Sequence, residues 1–250
     1  MTDPKGKTAI VTGASSGIGR ATALQLAAAG ARVIGVARGA EGLAALRAEA
    51  PAIETVQGDA ADPALAERLL REVRPELVVL AAGVRPHMAP LAEQTWESFS
   101  EAWESDTRAA FHFVRGAMRL PLAPGSTVVI LSSGAALGGS HLSGGYAGAK
   151  RMSWWIASYA QQQANARELG LRFLAVLPKQ LVEGTEIAAL ASGAYGPWTG
   201  VTAAEYMRQR FETPLAPDGV ARAILDVLRG GVAPETIALG VTARGVEPIA

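Results

Sequence analysis

Cysteine is absent from the 250-residue chain, which excludes disulfides and thiolate metal ligands. Histidine occurs only three times, never at metal-ligand spacing, so no metal centre is expected. Neither sign of charge is in excess: 23 Lys and Arg balance 23 Asp and Glu. No basic stripe is available for a nucleic-acid backbone, and no acidic tract forms a solvating tail. No apolar run reaches the ~18 residues of a spanning helix. The segment Met1 to Lys7 lacks the apolar core of a signal peptide. The expectation is a soluble cytoplasmic protein with neither membrane nor nucleic-acid partners. Lysine is also scarce, at positions 5, 7, 150 and 179 only, which gives weight to any pattern that uses one.

What is plentiful is apolar. Hydrophobic residues make up 49% of the chain, enough to cover both faces of a sheet. β-Branched runs at 7–12, 32–37, 53–57, 77–81, 127–131, 171–177 and 236–239 read as strands. They alternate with helical segments at 17–29, 41–50, 63–73, 95–120, 147–168 and 220–228. Such alternation predicts βαβ units with right-handed crossovers, hence one α/β domain around a doubly wound, mostly parallel sheet of about seven strands. The strands are apolar throughout rather than alternating, as helices on both faces require. The stretch 184–216, rich in Gly, Pro, Trp and Tyr, falls outside the alternation and reads as an excursion that covers a substrate.

The first strand runs into Thr12-Gly13-Ala14-Ser15-Ser16-Gly17-Ile18-Gly19, which opens a helix. One glycine allows the tight turn, one lets a pyrophosphate approach the backbone, and one lets the helix pack on the strand. The helix N-terminus then presents free N–H groups and partial positive charge to a diphosphate. A dinucleotide site is therefore expected. At the end of the second strand, where a carboxylate would bind an adenosine ribose, the chain has Ala37 followed by Arg38. A guanidinium holds a 2′-phosphate where a carboxylate would repel it. This favours NADP(H), with NAD(H) possible, because Arg38 also fits a solvated loop.

Tyr146 and Lys150 form Tyr-x-x-x-Lys, with Ser133 thirteen residues before the tyrosine. On a helix, positions i and i+4 share a face. Ser133 ends the fifth strand, at the carboxyl edge where doubly wound sheets hold ligands. Carbonyl reduction needs a proton on oxygen as hydride reaches carbon, and a phenol serves if its pKa of about 10 is tuned toward the working pH. Lowering it by two units asks for about 2.7 kcal/mol. One ammonium at ~4 Å supplies about 4 kcal/mol at an effective dielectric of 20. Lys150 is therefore sufficient in magnitude. Ser133 would hydrogen-bond the substrate oxygen.

The Thr-Gly-x-x-x-Gly-x-Gly loop, the Ser–Tyr–Lys spacing and the strand alternation together resemble the short-chain dehydrogenase/reductase family over nearly the whole chain. The resemblance implies a Rossmann fold and hydride transfer between a nicotinamide coenzyme and a carbonyl or alcohol, with Tyr146 as acid/base. It also implies assembly as a homodimer or homotetramer. By the same resemblance, Asp59 meets the adenine amino group and Lys150 holds the nicotinamide ribose. Ala60, Ala82, Gly83 and Pro178 fall at coenzyme-lining positions. Thr185 corresponds to a threonine near the carboxamide, displaced by a couple of residues. A non-catalytic dinucleotide-binding sensor or scaffold is the competing class.

The pattern breaks in three places. The family's Asn-Asn-Ala-Gly is replaced by Leu80-Ala81-Ala82-Gly83, so this loop is expected to be braced differently. The asparagine of the family's catalytic tetrad is replaced by Asp106. Asp106 either caps or bends its helix, or couples to Lys150 through water and offsets the lysine's effect on Tyr146. Lys179 replaces a glycine after the sixth strand and faces either solvent or an anionic substrate. His87, His141, Tyr195, Trp198 and Tyr206 lie in loops or the excursion, as pocket walls or as anchors. Of Trp154 and Trp155, one is expected in the core and the other at a subunit contact.

Overall fold

The computed structural model describes residues 3–120 and 122–249. In chain order the elements are β1 (Thr8–Thr12), α1 (Gly17–Ala28), β2 (Arg32–Ala37), α2 (Ala40–Glu49), β3 (Glu54–Gln57), α3 (Pro63–Val73), β4 (Leu77–Leu80), α4 (Trp96–Ala102), a π turn (Trp103–Thr107) and α5 (Arg108–Arg119). Then follow β5 (Thr127–Leu131), α6 (Ala135–Gly138), α7 (Tyr146–Ala166), β6 (Arg172–Pro178), α8 (Glu186–Trp198), α9 (Ala203–Arg210), α10 (Pro217–Leu228), β7 (Ala238–Thr242) and β8 (Gly245–Pro248).

The strands form one sheet in the order β3-β2-β1-β4-β5-β6-β7-β8, parallel except for the β7–β8 pair. Their unbroken apolar runs divide by parity. Ile10, Val78, Val128, Ile130 and Phe173 join the core beneath α3, α5 and α7. Their neighbours Ala9, Val11, Val79, Val129 and Leu174 join the opposite core with α1 and α10. Successive side chains in a strand point to opposite faces, so a strand covered on both sides must be apolar at every position. The chain order reverses direction between β1 and β4, and at such a switch point the diverging loops open a crevice beyond the strand ends.

Three sequence expectations need correction. The sheet has eight strands rather than about seven, because Gly245–Pro248 adds an antiparallel edge strand. Its four residues are all exposed, so it carries no burial pattern. The seventh strand lies at Ala238–Thr242 rather than 236–239. Gly240 ends the apolar run in the sequence, yet it lies inside the strand, paired with Leu177 and Glu247. The helix expected over 95–120 is interrupted by the π turn at Trp103–Thr107.

The 184–216 excursion folds into α8 and α9. A Val182–Leu215 bridge pins its base. The Tyr195 hydroxyl lies 2.9 Å from Ser140 Oγ and accepts from the Leu142 N–H at 3.2 Å. His141 packs edge-on against Tyr195, and Tyr206 stacks on it. These aromatic residues therefore anchor the excursion to the loop that precedes α7.

Candidate active site

A cleft of about 700 Å³ opens at the carboxyl edge of the sheet. One half is built from backbone. Gly13 has φ +69°, and a Cβ there would lie 2.7 Å from the Ala81 carbonyl oxygen. At Gly19 a Cβ would lie 2.2 Å from the Gly13 carbonyl oxygen. No larger residue fits either position. Ser16 precedes α1 in extended conformation without capping it through its side chain, so the first N–H groups of α1 meet the cleft undiverted. Ser15, Ser16, Gly17 and Ile18 line the cleft beside them. At the far end, Ala37 and Arg38 close the tip of β2, with Glu41 of α2 and Asp59 opposite. Asp59 is exposed, and its Oδ1 accepts from the Ala61 N–H at 2.9 Å. A cradle of open backbone N–H groups with a cation at its far end fits a dinucleotide.

The other half is built from buried side chains. Tyr146 opens α7 and Lys150 lies one turn further, so both face the cleft floor beside Ser133, at the end of β5. The Lys150 ammonium lies 5.5 Å from the centre of the Tyr146 ring and donates to the Leu131 carbonyl at 3.3 Å. The Ser132 hydroxyl donates to the Lys150 carbonyl at 2.7 Å and fastens α7 to β5.

Asp106 projects from the π turn to the far side of this ammonium. Its Oδ2 lies 2.8 Å from Lys150 Nζ, and the side chains are only 2% and 5% exposed, respectively. The contact is a direct, buried ion pair. Oδ1 accepts from the Val84 N–H at 2.9 Å. The water-mediated coupling expected from the sequence is thus replaced by direct contact. Burial opposes charge on Lys150, but the Asp106 carboxylate and Tyr146 overcome this and hold its pKa above the ordinary value. Burial raises the Tyr146 pKa. Lys150 pulls it down and Asp106 pushes it up, while the Ser133 hydrogen bond lowers it. The net direction is upward, contrary to the expectation that Lys150 alone would draw it toward neutrality.

The 81–84 loop is braced twice. Thr12 Oγ1 accepts from the Ala81 and Ala82 N–H groups, each at 3.1 Å, and Asp106 holds Val84. Gly83 approaches so closely that a Cβ would lie 2.8 Å from Asp106 Oδ2. Ala60, Ala82, Gly83, Pro178 and Thr185 all line the cleft. Thr185 also caps α8, accepting from the Ala188 N–H at 3.2 Å. Of the residues given catalytic or coenzyme roles from the sequence, Asp106 alone is outside the cleft lining and lies behind Lys150; His87, His141, Lys179, Tyr195, Trp198 and Tyr206 are also outside it. Lys179 is exposed and pairs with Glu247 of β8. Trp154 is buried and Trp155 exposed.

Sequence reasoning missed the contributions of Thr12 and Ser132, and the Arg85–Glu186 ion pair at 2.9 Å across the cleft mouth. Each joins elements far apart in sequence, and no local spacing signals such a contact. No group of acidic, histidine or cysteine side chains able to hold a metal occurs among the described residues. No helix among them is long and apolar enough to cross a membrane.

The short chain dehydrogenase family matches residues 7–188, and the chain belongs to that family. It is 39% identical over 128 residues to L-xylulose reductase of Mesocricetus auratus, a match covering 51% of this chain and 52% of that one. The chain thus spans about half the length of the L-xylulose reductases it matches. It is 26% identical over 196 residues to the NADPH-dependent pterin aldehyde reductase of Arabidopsis thaliana, covering 75% and 74% of the two chains. The crystal structure of levodione reductase superposes with a TM-score of 0.81 at 22% identity, over 96% of both chains. That likeness extends the shared fold past residue 188.

Proposed function

We propose that the protein is an oxidoreductase that transfers hydride between NADP(H) and a carbonyl or secondary alcohol, with Tyr146 as the general acid/base. The observation that carries this reading is the buried Tyr146–Lys150 pair at the floor of a glycine-cradled cleft, beside Ser133. The coenzyme, when bound, supplies or accepts the hydride.

The remaining work falls to side chains of this protein. The Gly13–Gly19 loop and the α1 N-terminus bind the diphosphate. Arg38 pairs with the 2′-phosphate by charge-assisted hydrogen bonds, and Asp59 meets the adenine. Ser133 holds the substrate oxygen near the phenol. In reduction Tyr146 gives its proton to that oxygen; in oxidation it takes the proton back. Lys150 holds the nicotinamide ribose and stabilises the phenolate. A second coenzyme reading, NAD(H), draws on Glu41, whose carboxylate lines the same end of the cleft as Arg38. Assembly as a homodimer or homotetramer is supported by Trp103, Phe111, Trp155 and Tyr159, exposed aromatics on α5, α7 and the π turn.

Quenching of tryptophan fluorescence by NADPH and by NADH tests the coenzyme assignment. NADPH is expected to bind more tightly; equal binding favours NAD(H) use through Glu41. Consumption of the coenzyme with ketoses, aldehydes and cyclic diketones then tests the chemistry. Tight binding without turnover of any carbonyl would favour the sensor or scaffold.

A further inference from the structure

We propose that Asp106 is a positioning residue that cancels the charge of Lys150 and keeps Tyr146 in its protonated form, so that the site is poised for carbonyl reduction rather than alcohol oxidation. This rests on the activity proposed above and adds a direction to it.

The geometry carries the inference. An ammonium buried beside a phenol favours ionisation of the phenol. Here a carboxylate lies 2.8 Å from that ammonium and is itself almost fully buried. Seen from the phenol, the two opposite charges form a dipole rather than a cation, and the field of a dipole falls faster with distance. The backbone holds this arrangement in place. The π turn at Trp103–Thr107 sets Asp106 inward, the Val84 N–H fixes Oδ1, and Gly83, where a Cβ would lie 2.8 Å from Oδ2, leaves the carboxylate the space it occupies.

No other charge intervenes among the described residues. From α7 the facing groups are Tyr146 and Lys150. From the end of β5 they are the neutral Ser133 hydroxyl and Leu131 carbonyl. The 81–84 loop offers only the Val84 N–H. Glu104 and Arg108 pair with each other in solvent, and Arg85 pairs with Glu186 at the cleft mouth. Tyr146 accordingly lies above its ordinary value, with burial as the largest cause and the carboxylate adding to it.

The sign of the consequence is fixed. Reduction requires the protonated phenol, and oxidation requires the phenolate. Raising the proton affinity of the Tyr146–Lys150 couple extends the pH range for reduction and pushes oxidation toward alkali. Asp106→Asn keeps an oxygen for the Val84 N–H and removes only the charge. The couple should then lose its first proton at a pH lower by ~1 unit or more, whichever member releases it.

The test is an ultraviolet difference titration of tyrosinate, each protein against its own Tyr146→Phe version. In the parent, Tyr146 is expected to ionise above the ordinary range of a tyrosine. In Asp106→Asn the ionisation moves down, and the pH limbs of kcat/KM for both reduction and oxidation follow it. Limbs and titration that stay put while the rate falls would reduce Asp106 to a loop brace and overturn the proposal. If Asp106→Asn does not fold, the parent titration decides, and a Tyr146 that ionises at or below neutrality overturns the proposal. The titration needs neither coenzyme nor substrate. A protein that turns over no carbonyl therefore defeats the proposed activity while this result stands on its own.

Discussion

The two halves of the cleft are built by opposite means. The nucleotide half works by subtraction: Gly13 and Gly19 remove side chains so that backbone atoms can approach each other and a ligand. Its charges, Arg38 and Asp59, are exposed to solvent. The catalytic half works by burial: Tyr146, Lys150 and Asp106 are all nearly inaccessible, and Asp106 acts on both Lys150 and Tyr146. Backbone recognition tolerates change nearby and resists it only at the glycines. A buried charge cluster has no spare member, because removing one charge exposes the desolvation cost of its partner.

Substitutions can separate the halves. Tyr146→Phe should lower kcat by ~10²–10⁴-fold while NADPH affinity, read by fluorescence, stays near the parent value. A matching loss of affinity would show that the halves are not independent. Lys150→Met leaves Asp106 buried without its cation and should destabilise the fold by ~3–5 kcal/mol in denaturant unfolding. Adding Asp106→Leu should restore most of that loss without restoring turnover, since an apolar pair replaces an ionic one. Arg38→Asp should reduce the preference for NADPH over NADH by ~10–100-fold, the worth of a charged hydrogen bond, with stability unchanged. Lys179→Ala breaks an ion pair whose side chains are 36% and 55% exposed. It should cost under ~1 kcal/mol, and a larger loss would mean that surface and buried pairs do not differ as argued.

The same contrast decides how much could be read in advance. The glycine loop, the strand alternation and Tyr146 with Lys150 are local in sequence, so spacing and periodicity reveal them. The β1–β6 strands form in one sheet, and the cleft residues chosen from those patterns line one cavity at its carboxyl edge. Asp106 was legible as a departure at one position, but its direct contact with Lys150 was not. The two are 44 residues apart and meet through the π turn, a local irregularity without a sequence signal. β8 escaped notice for a different reason: an exposed edge strand of Gly-Val-Glu-Pro has neither alternation nor a continuous apolar run. Thr12 and Ser132 support the site through hydroxyls whose partners lie in other elements, and a lone hydroxyl in a sequence signals nothing.

The account stands on both halves acting together on one substrate carbon. The direct measurement supplies NADPH deuterated at the transferable position of the reduced nicotinamide, together with a carbonyl that the enzyme consumes, and follows the label by mass spectrometry and NMR. The account predicts one deuterium on the carbinol carbon of the product alcohol, and at least ~10²-fold less labelled alcohol when Tyr146→Phe replaces the parent protein over the same interval. An unlabelled alcohol, or equal labelling by the two proteins, would contradict it.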